Sequence, residues 1–281
     1  MSIRQTLLHV PTFPDPAADA LLEGAVAVTA LLGSGLTVQI PQLDSDPSTF
    51  RPMMGGFVAD YMQVMAAIAA DSESNAAKAC EKLTKLCGDK KVPLDLRRSL
   101  TRLDIRVEGL IDLARLHDLT ILPAPGPGTL DYRLIHATIF GAGGPVLFLP
   151  ADRPLLGLRR VLVGWDFSRE TARALKDAIP LLLHADAIHF VTVTDEKSIN
   201  PTSTWNDLEK LMQSHGLSFN HQQVEKRSET IADCLFDHAQ KLGADLLVMG
   251  AYGHSRLSEF ILGGATRGVL QEPPLPVFLS H

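Results

Sequence analysis

The sequence predicts an α/β protein of two tandem, doubly wound domains, 1–153 and 154–281, each built on a mainly parallel five-stranded sheet. Three observations lead there. Short runs such as Leu246–Met249 are apolar on successive residues, as strands of a parallel sheet covered on both faces are. These runs alternate with longer segments whose apolar residues recur at helical spacing. The same order of segments then occurs twice along the chain, the mark of an internal duplication.

In order, the first domain begins with a strand at Thr6 to Val10, a helix over about 17–32 ended by Gly33, and a strand at 36–42. A long helical pattern over 52–89 closes on Gly88 in the manner of a C-terminal glycine. Its first part, 57–70, is the most membrane-like stretch of the chain. Asp60 and Gln63 interrupt it and it is too short to span a bilayer, so it reads as a buried helix. Residues 93–100 alternate like a strand. Thr101 and Asp104 read as a capping box for a helix with Val107, Leu110, Ile111 and Ala114 on one face. A strand at 119–122, a Pro/Gly-rich loop, a short helix around 131–138 and a strand at 145–149 complete the unit.

The second domain repeats the plan. Its first strand spans 159–166, and Ser168 caps a helix to about 183. A strand at 187–193, a helix at 205–215 and a strand at 217–224 follow. Ser228 is the expected opening of a helix with Ile231, Cys234, Leu235, Ala239 and Leu242 on one face, stopped by Gly243. The strand at 245–250, a glycine-containing loop, a helix at 265–271 and a strand at 276–280 end the chain. The first strands of the two domains align at an offset of 155, Leu7 with Leu162, and the fourth at 127, Asp118 with Asp245. The first domain thus carries 28 extra residues, assigned to the helical segment at 52–89.

A net charge of −6 without any basic run excludes nonspecific attachment to nucleic acid or to an anionic membrane, which needs clustered positive charge. Cys80, Cys87 and Cys234 are sparse and odd in number. The first two lie two helical turns apart, roughly 10 Å, too far for a disulfide, so reduced thiols in a cytoplasmic setting are expected. The N-terminus lacks the long apolar core of a signal peptide.

Residues 245–267 carry the chemistry. A buried-type strand stops at Gly250, Gly253 follows, and after nine residues Gly263 and Gly264 lead into a helix containing Thr266. Glycines at a strand's end let main-chain amides approach an anion, and a helix N-terminus behind them favours negative charge. The spacing is neither the P-loop nor the dinucleotide fingerprint. It closely resembles the ATP-binding signature of the universal stress protein family, G-x-x-G, nine residues, then G-[ST]. Gly264 stands where that signature has its hydroxyl residue, and Thr266 is the nearest hydroxyl.

That resemblance implies an adenine nucleotide α-hydrolase-like fold and an adenine nucleotide as ligand: ATP or AMP, with or without magnesium. It places Asp166, in the segment Gly164-Trp165-Asp166-Phe167-Ser168, near the adenosine, with Trp165 beside it and Val193 against the base. The amides at Gly250 and Gly253 would face phosphate, Gly263, Gly264 and Thr266 would close the other side, and His254 and Arg256 lie in the intervening loop. Each residue has a plainer reading. Asp166 serves equally as an acid at a helix N-terminus, Ser168 as its cap, Val193 as core, and His254 and Arg256 as solvated loop residues. In the first domain Asp166 falls on Pro11, Gly250 on Pro123, Gly263 on Tyr132 and Thr266 on Ile135; only Gly253 keeps a counterpart, Gly126. One nucleotide site per chain is therefore expected, in the second domain. The family also pairs domains antiparallel through their last strands, and a tandem chain can do so internally, covering two apolar edges. Protein partners and a homodimer stay open.

The ten histidines show no metal-ligand or triad spacing, and no residue has the role of a base for attacking water, so slow ATP hydrolysis is the most that chemistry here would support. Three readings compete: a nucleotide-binding stress or regulatory protein, an interaction module of the same fold without nucleotide, and a nucleotide-hydrolysing or nucleotide-transferring enzyme.

Overall fold

A computed structural model describes residues 2–44, 58–101, 108–126, 132–194, 204–226, 230–251 and 264–281. The strands are β1 (Gln5–His9), β2 (Gly35–Leu43), β3 (Leu94–Thr101), β4 (Leu119–Pro123), β5 (Val146–Leu149), β6 (Arg160–Gly164), β7 (Ala187–Thr194), β8 (Asn220–Glu225), β9 (Leu246–Gly250) and β10 (Val277–Ser280). They form one ten-stranded sheet in the order β3-β2-β1-β4-β5-β10-β9-β6-β7-β8. Each half repeats the same doubly wound order, and neighbours within a half run parallel. At the centre β5 and β10 meet antiparallel, with Phe278 opposite Leu147, so the internal pairing of the last strands is present and neither apolar edge is bare.

The helices are α1 (Asp19–Leu32), α2 (Val58–Lys90), α3 (Glu108–Ala114), α4 (Tyr132–Gly141), α5 (Arg169–Leu182), α6 (Trp205–Ser214), α7 (Ile231–Leu242) and α8 (Gly264–Leu270). Apolar residues of α1, α2, α5 and α6 pack on one face of the sheet, and those of α3, α4, α7 and α8 on the other. This two-sided cover is why the inner strands read as continuous apolar runs.

The internal repeat has a concrete signature at the amino ends of the strands. Asp118 Oδ2 accepts from the amides of Arg4 and Gln5 at 2.8 and 3.0 Å. Asp245 Oδ2 accepts from those of Arg159 and Arg160 at 2.8 and 3.0 Å. Each carboxylate ties the start of a fourth strand to the start of a first one. The extra length of the first half is where the sequence puts it, since α2 has 33 residues and α6, its counterpart, has 10.

Four local expectations are corrected. Gly88 does not end α2; the helix continues to Lys90, and Lys91 takes the left-handed φ of 55°, with Val92 N donating to Cys87 O. The apolar start of α2 is not a buried helix. Met65 and Ala69 are buried, but Met62 and Val64 are 43% and 56% exposed, because only the stripe continuing through Ser72, Ala76, Ala79, Leu83 and Cys87 faces the protein. Thr101 is the last residue of β3, its carbonyl accepting from the Asp44 amide, rather than a helix cap; Asp104 lies outside the described residues. The cap of α7 is Thr230, in a reciprocal capping box with Asp233; Ser228 lies outside the described residues. Among the described residues no helix is long and apolar enough to cross a membrane, and none of the three cysteines forms a disulfide.

Two histidines couple this half to pH. Burial, with the Arg160 guanidinium adding, holds His189 on β7 below the usual imidazole range. Burial, with Lys241 and His189 adding, does the same for His238 on α7. A folded pKa below the unfolded value of about 6.5 means that the unfolded chain binds more protons in that window. Stability is therefore full above pH 6.5 or so and declines as pH falls through the lowered folded values. Urea midpoints between about pH 8 and 5 should show this decline, and a His189→Gln, His238→Gln double variant should flatten it. The carboxylates of Asp207 and Asp233, held low by hydrogen bonds from Thr204 and Thr230, act only at more acid pH.

Candidate functional site

In an open parallel sheet ligands gather outside the carboxyl ends of the strands where the connection order reverses. In the second half that point lies between β6 and β9, because the chain moves from β6 through β7 to β8 and then returns to the far side of β6. Trp165 and Asp166 leave β6 there, Gly250 ends β9, and Val193 stands near the end of β7. These four expected residues are brought to one end of the sheet.

Asp166 is half-buried at the foot of α5. Its Oδ1 accepts from the Ser168 amide and the Thr171 hydroxyl, both at 2.9 Å, while Ser168 Oγ accepts from the Thr171 amide at 3.2 Å. The carboxylate therefore organises the first turn of α5, the plainer of its two readings. Thr171 is the partner that sequence reasoning missed, and an Asp-x-Ser-x-x-Thr pattern was the available signal.

Gly250 has a packing reason to be glycine, separate from the one its spacing implies. It is not left-handed; a Cβ there would lie 2.5 Å from Glu170 C and 2.6 Å from Thr171 N. Glycine is required so that the first turn of α5 can rest on the end of β9, which also brings the Asp166 cap to the switch point. The following amide, Ala251 N, is taken by Ser280 O at 2.9 Å. Gly264 is exposed at the first position of α8, and a Cβ there would meet nothing within 4 Å. Thr266 is 2% exposed, on the packed side of α8, at the place occupied in the first half by buried Ile135. Gly253, His254, Arg256 and Gly263 lie outside the described residues.

On the α5–α6 side of the sheet, Trp165 is 7% exposed and sits edge-on to Phe167 and Phe190, with ring centroids 5.4 and 5.8 Å away. Phe167 and Phe190 in turn contact Trp205, at 5.2 and 6.4 Å. Phe167 has φ of 60°, a conformation costly for a bulky residue. Trp165 Nε1 and, on β7, Thr192 Oγ1 are buried without a hydrogen-bond partner. Leaving such a group unpaired costs roughly 1–3 kcal/mol, and Thr192 was not anticipated from sequence. Val193 points to the other side, packing beside Val224 and Ile231. In the first half Pro11 and Pro123 stand where Asp166 and Gly250 do, and Pro123 ends β4 within the sheet without an amide to donate. Among the described residues no three His, Cys, Asp or Glu side chains are grouped as a metal centre requires.

The model of the universal stress protein family matches residues 157–281. A universal stress protein of Synechocystis is 28% identical over 125 residues, a match that spans 43% of this chain and 42% of that relative. Over the whole chain the fold is that of a universal stress protein from Archaeoglobus fulgidus, with a TM-score of 0.69 at 17% identity, covering 98% of this chain and 95% of that one. A functionally unknown protein from Pseudomonas aeruginosa matches with a TM-score of 0.61 at 16% identity, covering 99% and 92%. The C-terminal half is thus an α/β domain of the universal stress type. Its sequence is matched by the model of that family and is similar to the Synechocystis relative, and at these identities the likeness over the whole chain is one of fold.

Proposed function

We propose that the chain is an adenine-nucleotide-binding stress-response or regulatory protein, with one site in a domain spanning 154–281 and a degenerate copy of that domain at 1–153. What carries this reading is the switch point between β6 and β9. Asp166 follows one of these strands, and the glycine segment departs from Gly250 at the end of the other. This occurs in the half that matches the family, whereas the equivalent places in the first half are proline. Gly253 and Gly263 complete the cradle by the family signature, with Gly264 in place of its hydroxyl residue, and ATP or AMP, with or without magnesium, is the ligand. With no base for water in view, binding rather than turnover is the activity, in a cytoplasmic protein whose partners are unnamed proteins or a second copy of itself.

Equilibrium binding of labelled ATP, AMP and adenosine to the purified chain tests it. Micromolar or tighter binding is expected, and Asp166→Ala should weaken it at least tenfold while costing about 1 kcal/mol of stability through the lost cap of α5. An affinity that does not change in Asp166→Ala would remove this residue from the site. The absence of binding by the wild type would instead favour an interaction module of the same fold, a reading that Gly264 in place of the usual hydroxyl supports.

A further inference from the structure

We infer that Trp165 Nε1 and Thr192 Oγ1 form the base-reading edge of the C-terminal unit and take an uncharged heteroaromatic ring. The inference rests on the nucleotide reading above and says which side chains recognise the base.

The two residues are neighbours by construction. The β6–β7 register sets Gly164 beside Val191, and the Trp165 amide continues the ladder by donating to Val191 O at 2.9 Å, so Trp165 and Thr192 form the next rung. Side chains alternate along a strand, which puts Thr192 on the same side as Phe190, whose ring touches Trp165. Both atoms are deeply buried and neither has a partner.

The first half of the chain is an internal control. There the Val10 amide donates to Gln39 O at 3.0 Å, the same rung of the same ladder, which makes Val10 the counterpart of Trp165 and Ile40 that of Thr192. Val10 and Ile40 are fully buried, apolar and part of the core. The fold is therefore content with two aliphatic side chains at this rung. Two unpaired polar atoms stand instead at the carboxyl end of the sheet, in the half that carries the glycine segment. The left-handed backbone of Phe167 lies at the same spot. Polar groups and backbone strain kept where the fold does not need them are what a binding site retains.

Their chemistry narrows the ligand. Indole N–H only donates and a threonine hydroxyl donates or accepts, so the ligand must offer an acceptor with a polar group beside it. Neither atom is charged, and the surrounding rings of Phe167, Phe190 and Trp205 favour a flat apolar body over an anion. Adenine fits, with a ring nitrogen acceptor next to an exocyclic amine.

The test uses the full chain, with adenosine, ATP and inorganic tripolyphosphate as probes. Trp165 and Trp205, the two tryptophans of the chain, both belong to this cluster, so indole fluorescence reports on it directly; a Trp205→Phe variant leaves Trp165 as sole reporter. Adenosine should shift the Trp165 emission and tripolyphosphate should not. Thr192→Val should weaken adenosine and ATP about tenfold and leave tripolyphosphate unchanged, and Thr192→Ser should restore nucleotide affinity. The ligand-free Thr192→Val protein should be at least as resistant to urea as the wild type, because the hydroxyl it removes has no partner. Unaltered ATP affinity in Thr192→Val, with ATP still bound by the wild type, overturns this inference and leaves the nucleotide site standing. A Thr192→Val protein that is less stable yet binds normally shows a structural hydroxyl and overturns it as well. Failure of the wild type to bind either ATP or adenosine overturns both.

Discussion

Gly250→Ala will lower the stability of the chain by about 3 kcal/mol, at the upper end of what overpacking costs, seen as a fall in the urea midpoint with little change in slope. The added Cβ would lie 2.5 Å from Glu170 C and 2.6 Å from Thr171 N, which are main-chain atoms of the first turn of α5 and cannot swing aside as a side-chain tip can. Relief requires α5 to move off the end of β9, and the Asp166–Ser168–Thr171 cap moves with it. Nucleotide affinity should therefore fall in the same variant for structural reasons, which makes Asp166→Ala, and not a Gly250 substitution, the cleaner probe of binding. Gly264→Ala is the control. Nothing lies within 4 Å of its Cβ position, and alanine in a helix gains up to about 1 kcal/mol over glycine, so this variant should be as stable as the wild type or slightly more so. A wild-type midpoint for Gly250→Ala would mean that α5 does not rest on β9 as described.

The second large effect concerns the twin carboxylates. Asp118→Ala and Asp245→Ala should each cost about 1.5 kcal/mol, since each deletes an acceptor shared by two amides at the start of a strand. The two sites lie in opposite halves of the sheet and share no partner, so the double variant should lose the sum to within about 0.5 kcal/mol. Asp118→Asn and Asp245→Asn keep an oxygen acceptor and should recover part of the loss. Equal costs in the two halves would give the duplication an energetic meaning. A large cost at one aspartate and none at the other would show that only one half depends on the clamp.

Sequence reasoning reached most of the architecture because the signals are local. Gly33 and Gly243 end α1 and α7 in the left-handed conformation that glycine tolerates, and Ser168 caps α5 as its spacing implies. The helix ends that were misplaced fail for equally physical reasons. Gly88 resembles a terminator, but α2 has packing to gain from Cys87 and Val92 on either side and runs on to Lys90. Thr101 has the composition of a cap, but its backbone is committed to the ladder with β2. Asp166, Trp165, Val193 and Gly250 lie at strand ends, as their place in the sequence implies, whereas the part of Thr171 in the α5 cap and the unpaired hydroxyl of Thr192 were not legible. A threonine in a cap or a strand looks ordinary until its neighbours are known.

By itself the sequence determined the order and type of the elements, the doubling of the unit, and which half keeps the glycine segment, because periodicity, caps and breakers act over a few residues. The tertiary structure realised the antiparallel β5–β10 pairing that the resemblance allowed, and it alone decided that Gly250 is small to admit α5. It alone set Trp165 and Thr192 side by side with unpaired polar atoms where the other half has Val10 and Ile40. Those facts depend on which atoms meet across long sequence separations. The pattern of apolar and polar residues along a strand fixes its two faces but not what is packed against them.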